Sequence, residues 1–95
     1  MLKRIVKMEF LPEKTEEFKQ IFQANREMIK NFEGCHSITL LQDTHQSNIF
    51  FTYSLWDSQE KLDTYRNSAL FTSVWKKTKL LFNRKPFAWS VQEIL

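Results

Sequence analysis

The stretch that decides the fold covers residues 49–75 and reads IFFTYSLWDSQEKLDTYRNSALFTSVW. Its first eight residues, 49–56, are β-branched or aromatic at all but two positions, which is typical of a strand. Asp57 and Glu60 have the spacing of a capping box and predict that a helix begins here. Ser68 can cap a second helical segment. The stretch therefore predicts a strand followed by a helix that is broken once.

The pattern extends outward in both directions. After the break, apolar residues recur at helical spacing as far as Phe82, and Pro86 stops the helix. Gly34 follows the last apolar residue of an earlier helix, as a C-terminal cap does. The other predicted elements are a strand at 3–10, a helix from about 13 to about 32, a strand at 36–42, a hairpin loop at 43–48 and a last strand from 87 to about 95.

The order β-α-β-β-α-β predicts one α+β domain over residues 1–95, with a ferredoxin-like antiparallel sheet and its helices on one face. The strands nevertheless carry apolar residues on both faces, as Ile5 and Val6 or Phe50 and Phe51 illustrate. Two helices cover only one face of such a sheet, so a monomer would expose the other face to water. We therefore expect a homodimer in which two sheets pack together.

The composition excludes several classes of site. The chain has one cysteine, Cys35, and one glycine, Gly34. A lone cysteine permits neither a disulfide within the chain nor a cysteine-based zinc site, and it fits a reducing compartment. Phosphate-cradling loops need several glycines, and the two histidines lack the spacing of metal ligands. We therefore expect neither a metal nor another cofactor.

The first residues do not predict a targeting segment. Residues 1–7 alternate charged with apolar groups and lack the continuous apolar run of a signal peptide. No apolar run approaches the ~18 residues that a membrane span requires. We therefore expect a cytoplasmic protein without a membrane partner.

The net charge is +3, and basic residues cluster between 76 and 85. Such a cluster either binds anions or nucleic acid, or complements a helix C-terminus. The second interpretation is favoured because no glycine or aromatic residue is interleaved. RNA-recognition domains share the strand order, but their third strand begins with a basic residue and a glycine, where this chain has Asn48-Ile49-Phe50. No nucleic-acid partner is expected.

A family resemblance covers nearly the whole chain. A strand that ends in Trp56-Asp57-Ser58, followed by a helix with Tyr65-Arg66-Asn67-Ser68 and Leu70-Phe71, resembles the antibiotic biosynthesis monooxygenase domain. The segments RIVKMEFLPEKTEEF (4–18), FEGCHSITLLQD (32–43) and KPFAWSV (85–91) are similar to that family as well. The resemblance implies a dimeric α/β barrel.

The same resemblance implies oxygenation of quinols, phenols or polyketide-like aromatics by O₂ without a cofactor. Trp56 matches a tryptophan that lines the pocket of the polyketide-oxidising members. Those members have an asparagine where this chain has Thr52, and a tyrosine where it has Leu62, so their exact reaction is not carried over. The alternatives are a non-catalytic small-ligand-binding or structural dimer of the same superfamily.

Haem degradation occurs among relatives and is not favoured here. The iron-binding histidine of that branch corresponds to Trp75 in this chain. Its helical tryptophan falls at Tyr65, and its first-strand asparagine falls at about Val6.

Cofactor-free oxygenation needs a flat apolar pocket that excludes water and a few donors that stabilise a phenolate. The candidate catalytic residues are Trp56, Tyr65, Arg66 and His36. The candidate pocket residues are Tyr53, Thr52, Leu62, Phe71 and Trp75.

Each candidate also has a structural interpretation. Phe71 and Trp75 lie on the helical stripe, where core packing explains them, and Arg66 and His36 have the character of surface residues. The indole N–H of Trp56 is expected either to donate to a phenolate oxygen or to be buried by packing.

Overall fold

The computed structural model describes residues 1–95 and contains four strands, three α-helices and one turn of 3₁₀ helix. The elements are β1 (Leu2–Glu9), the 3₁₀ turn (Pro12–Lys14), α1 (Thr15–Lys30), β2 (Cys35–Gln42), β3 (Ile49–Trp56), α2 (Gln59–Arg66), α3 (Ala69–Lys79) and β4 (Phe87–Val91). The strands form one antiparallel sheet in the order β2-β3-β1-β4. The predicted α+β, ferredoxin-like fold is confirmed.

Strand alternation gives the sheet two different faces. Val6 lies opposite Thr52 on the inner face, which the helices cover, whereas Ile5 lies between Tyr53 and Trp89 on the outer face. No helix packs on the outer face, and Trp89 there is 46% exposed. The observed sheet therefore has the uncovered apolar face that the sequence predicted.

The core lies between the inner face and the helices, and aromatic rings dominate it. Phe10 is fully buried and stacks on Phe18, with 4.1 Å between ring centroids. Phe10 also stacks on Phe82 at 5.3 Å, and a β-bridge joins these two residues. The loop after α3 is thereby fastened to the end of β1. No helix combines the length and the apolar character that a membrane crossing requires.

Several predicted boundaries shift. The long helix begins at Thr15 and ends at Lys30, shorter than the predicted 13–32. Phe82 lies beyond α3, because its backbone pairs with Phe10 instead of continuing the helix. The last strand ends at Val91, short of the predicted 95.

The cap of α2 is one residue later than predicted. The Oγ atom of Ser58 accepts a hydrogen bond from the backbone N–H of Lys61 at 3.2 Å. Asp57 is engaged elsewhere, since its carboxylate contacts His36 and its backbone N–H donates to the carbonyl of Gly34. The predicted capping box at Asp57 is therefore wrong.

The predicted cap at Ser68 is confirmed. Its Oγ atom accepts from the backbone N–H of Phe71 at 3.1 Å. Lys76, Lys77 and Lys79 lie in the last turn of α3, where positive charge complements the helix dipole.

Gly34 lies in the turn between α1 and β2 and does not cap α1, whose C-cap residue is Asn31. Its φ is +89°, which side chains disfavour. A Cβ atom built on Gly34 would lie 2.5 Å from the Cβ of Lys61. The glycine therefore allows this turn to pack against α2.

We predict that Gly34→Ala lowers the free energy of unfolding by at least about 1–3 kcal/mol, the cost of holding a residue with a side chain at positive φ. The overlap with Lys61 adds to this loss. Chemical denaturation measures the change. In a Lys61→Gly background the loss should be smaller because the overlap is gone. A Gly34→Ala protein as stable as the parent would contradict this account of the turn.

Candidate functional site

A cavity of about 260 Å³ opens between the inner face of the sheet and the helices. Of the 20 residues that line it, 14 are hydrophobic. Strand alternation supplies its floor from β1 and β3, and α2 and α3 supply much of its wall. This is the space in which a small apolar ligand fits.

Seven of the nine residues predicted from the sequence line this cavity. They are Thr52, Trp56, Leu62, Tyr65, Arg66, Phe71 and Trp75. Tyr53 does not, because it lies on the outer face between two inward residues, Thr52 and Ser54. The expectation that Tyr53 lines the pocket is corrected by this geometry.

His36 also lies outside the cavity. It sits at an irregularity in β2, where the pairing with β3 shifts between Cys35 and Ser37. Its ring is exposed, and its Nε2 atom contacts the Oδ1 atom of Asp57. The contact joins the start of β2 to the segment that connects β3 to α2. His36 therefore does not reach a ligand in the cavity, which corrects its predicted catalytic position.

Four aromatic side chains form one continuous wall. Trp56 stacks on Tyr65 with 5.0 Å between ring centroids, and Tyr65 meets Phe71 edge to face at 5.3 Å. Phe71 in turn stacks on Trp75 at 5.8 Å. Each ring braces the next, so the wall has a defined shape before any ligand arrives.

The indole N–H of Trp56 is already used within the protein. It donates to the Oγ atom of Ser54 at 2.9 Å, and Trp56 is 1% exposed. The two residues are neighbours on the inner face because they are two positions apart on β3. Of the two roles expected for this indole N–H, the geometry favours burial by packing over donation to a ligand. Trp56 contributes its ring to the wall and orients Ser54.

Two arginines give the cavity a charged side. Arg4 extends from the floor on β1, and Arg66 from the end of α2. Neither forms a salt bridge with a carboxylate. Burial lowers the pKa of Arg4, the positive charge of Arg66 lowers it further, and the carboxylate of Asp63 acts in the opposite direction. The cavity thus combines apolar walls with uncompensated positive charge.

Sequence reasoning missed Arg4 and Ser54 as site residues. The signal was present, because Arg4 alternates with Val6 and Met8 on the apolar face of the first strand. A charged residue on a core-facing strand position needs a partner or an opening. The same alternation places Ser54 beside it on β3.

The hydroxyl of Tyr65 stays protonated at neutral pH. Burial raises its pKa well above the ordinary value, and the nearby Cys35 acts in the same direction. This hydroxyl forms no hydrogen bond with another group of the chain. Tyr65 is therefore equipped to donate a hydrogen bond to a ligand oxygen, and poorly equipped to act as a base.

The chain brings no group of three or more His, Cys, Asp or Glu side chains together in a way that would hold a metal ion. Trp75, the position that the resemblance aligns with an iron-binding histidine, forms part of the aromatic wall. The absence of a metal or another cofactor from the working protein stays a prediction.

Comparison with known proteins places the chain in a family. The family model for antibiotic biosynthesis monooxygenase matches residues 1–77. The chain therefore belongs to the antibiotic biosynthesis monooxygenase family, as the resemblance implied. No curated protein is similar enough in sequence to match it.

Solved structures show the same fold. An antibiotic biosynthesis monooxygenase superposes with a TM-score of 0.93 at 17% identity, over 100% of both chains. A conserved protein from Methanosarcina mazei Go1 gives 0.93 at 18% identity, over 98% of this chain and 92% of its own. A protein from Mycobacterium tuberculosis gives 0.89 at 15% identity, over 98% and 94%. At these identities the likeness establishes the fold alone.

We predict that the Trp56–Ser54 hydrogen bond couples the two residues energetically. Ser54→Ala leaves a buried indole N–H without an acceptor and should lower the free energy of unfolding by about 1–3 kcal/mol. In Trp56→Phe there is no N–H to satisfy, so adding Ser54→Ala to that variant should cost clearly less. Chemical denaturation of the two single variants and the double variant measures the coupling. Additive losses would show that the hydrogen bond contributes nothing.

Proposed function

We propose that this protein is a cofactor-independent monooxygenase that oxidises a small aromatic substrate, a quinol or phenol, with O₂. The observation that carries the proposal is the cavity itself, an aromatic pocket with uncompensated positive charge on one side. A purely structural dimer would gain stability by filling this space with side chains. Family membership supports the same reaction class.

The size of the cavity limits the substrate. A cavity of roughly 150 Å³ lined by aliphatic and aromatic groups accommodates benzene. The cavity here is about 260 Å³. It therefore suits one aromatic ring or two fused rings better than the larger polyketides that the resemblance includes.

The proposed chemistry takes all its electrons from the substrate. A phenolate transfers one electron to O₂, which gives a phenoxyl radical and superoxide. The two combine by forming a C–O bond at a ring carbon, and the resulting peroxide takes up a proton. That ring carbon then loses its hydrogen as a proton while the O–O bond breaks and water leaves. One oxygen atom of O₂ remains as a new carbonyl oxygen, and the substrate becomes a quinone.

The protein contributes binding, orientation and electrostatics to this reaction. Trp56, Tyr65, Phe71 and Trp75 hold the ring and exclude water, with Thr52 and Leu62 completing the lining. The Tyr65 hydroxyl donates to the substrate oxygen, and the positive charge of Arg66 favours the ionised phenol that reacts with O₂. In this account Trp56 shapes the pocket and carries no proton.

The protein is proposed to work as a homodimer through the outer face of the sheet. This face exposes Leu41, Phe87, Trp89 and Val91, of which Phe87 is 55% exposed. Phe87, Trp89 and Val91 lie together on β4, and Leu41 lies on β2 at the opposite edge of the sheet. Exposed apolar surface of this kind marks an interface, and the family resemblance implies a dimer. The cytoplasm stays the expected location, because a lone cysteine fits a reducing compartment.

We predict that the purified protein consumes O₂ with at least one compound from a panel of benzene and naphthalene quinols and naphthols. An oxygen electrode measures uptake above the rate of autoxidation. Val74→Phe should abolish the uptake, because Val74 lines the cavity and a larger ring there fills it. Ser73→Phe is the matched control, since Ser73 is exposed on the same helix, and should retain the activity.

The two negative outcomes differ in meaning. Binding of these compounds without O₂ uptake would replace the monooxygenase by the non-catalytic ligand-binding dimer. Uptake that persists unchanged in Val74→Phe would contradict the assignment of the cavity as the site.

We predict a dimer of about twice the 11.5 kDa chain mass in sedimentation equilibrium at micromolar concentration. Trp89→Lys should shift the equilibrium strongly to monomer, because it places a charge among the exposed apolar residues of β4. Leu80→Lys is the matched control, since Leu80 is 74% exposed after α3 and away from the outer face. A monomeric parent protein, or equal effects of the two variants, would count against this interface.

A further inference from the structure

We infer that the substrate carries a carboxylate, held by Arg4 and Ser54 on the floor of the cavity. The inference deepens the proposed function and rests on it for the identity of the site. The predicted ligand class is a hydroxylated aromatic carboxylate of one or two rings.

The positive charge at the cavity lacks a counter-charge within the chain. Arg4 and Arg66 both line the cavity, and neither has a carboxylate within salt-bridge distance. Asp63, the nearby acidic residue, accepts a hydrogen bond from the side chain of Gln59 at 2.9 Å. Arg66 is exposed, so water solvates its charge, whereas Arg4 is partly buried. A carboxylate on the ligand would supply the counter-charge that Arg4 lacks.

The position of Arg4 suits it to bind a carboxylate. It lies on β1, one of the two central strands of the sheet, with Ser54 directly opposite on β3 and Ser90 directly opposite on β4. Its Nη1 atom donates to the Oγ atom of Ser90 at 3.0 Å, which fixes the side chain. A guanidinium has five N–H donors in a planar fork. The other donors have no partner in the chain and match the two oxygens of a carboxylate.

The orientation of Ser54 suits it to donate to the same carboxylate. Its Oγ atom accepts the indole N–H of Trp56, and its own hydroxyl hydrogen has no acceptor in the chain. Ser54 is 5% exposed, so water has little access to it. Trp56 thereby leaves Ser54 free to donate beside Arg4. A partly buried arginine with an adjacent hydroxyl donor is suited to an oxyanion and offers little to a neutral ring.

The two sides of the cavity therefore bind different groups of the ligand. The floor, with Arg4 and Ser54, binds the carboxylate. The helix α2, with Tyr65 and Arg66, faces the phenolic oxygen that reacts. A ligand with both groups spans the cavity in one orientation, and this selects which ring carbon meets O₂.

The test compares two probes of the same shape, 2-naphthoate and 2-naphthamide, of which only the first is charged. Calorimetry without oxygen measures both affinities, so the result does not depend on turnover. The parent protein should bind 2-naphthoate at least about tenfold more tightly, the scale of one hydrogen bond between charged groups. Arg4→Gln should remove this preference and leave the affinity for 2-naphthamide nearly unchanged.

Two further variants keep the test decisive. Arg26→Gln removes the same charge from an exposed arginine of α1 that does not line the cavity, and it should keep the preference. Arg4→Lys keeps the charge and loses the planar fork, so its preference should be intermediate.

Equal affinities of the parent protein for the two probes, or binding of neither, would overturn the carboxylate site. So would a preference that survives in Arg4→Gln. A failure of O₂ uptake alone would remove the oxygenase and leave this binding result standing.

Discussion

The alternation of side chains across β1 and β3 is the constraint on which the rest of the structure depends. Adjacent residues of a strand point to opposite faces, so Thr52 and Ser54 enter the cavity while Tyr53 faces outward. The helices all lie on the inner side. One strand thus supplies a ligand-binding surface and a separate apolar surface, and a shift of one residue in register would exchange them.

The chain keeps an open cavity although it is short. A small domain has little core to spare, and here the aromatic wall and the Phe10 cluster lie in adjacent parts of one layer. Rings that brace one another hold the wall open without a ligand. The unpaired guanidinium of Arg4, which is partly buried, acts in the same direction, because closing the cavity would bury its charge further. An open aromatic cavity with unpaired positive charge lowers the stability of the domain. The same two features suit the cavity to an anionic aromatic ligand.

Local signals in the sequence predicted much of the fold. Strand β3 has the predicted bounds, and Ser68 caps α3, because both depend on residues close together in the chain. The predicted cap at Asp57 is wrong because a distant residue, His36, contacts its carboxylate and Ser58 caps the helix instead. That contact joins residues far apart in sequence and has no local signature.

The site was predicted in part for similar reasons. The family resemblance led to Trp56 and its aromatic neighbours. The alternation of β1 contained Arg4, but the sequence does not reveal where the core leaves an opening. The hydrogen bond from Trp56 to Ser54 was within reach of sequence reasoning, because residues two apart on a strand share a face.

The central claim is that the inner face binds the ligand and the outer face does not. Methyl-labelled protein titrated with 2-naphthol tests this most directly, because the ring current of a bound naphthalene shifts nearby methyl resonances. The account predicts shifts at Val6, Leu62 and Val74, which line the cavity, and none at Leu41 and Val91, which lie on the outer face. Shifts confined to Leu41 and Val91 would contradict it.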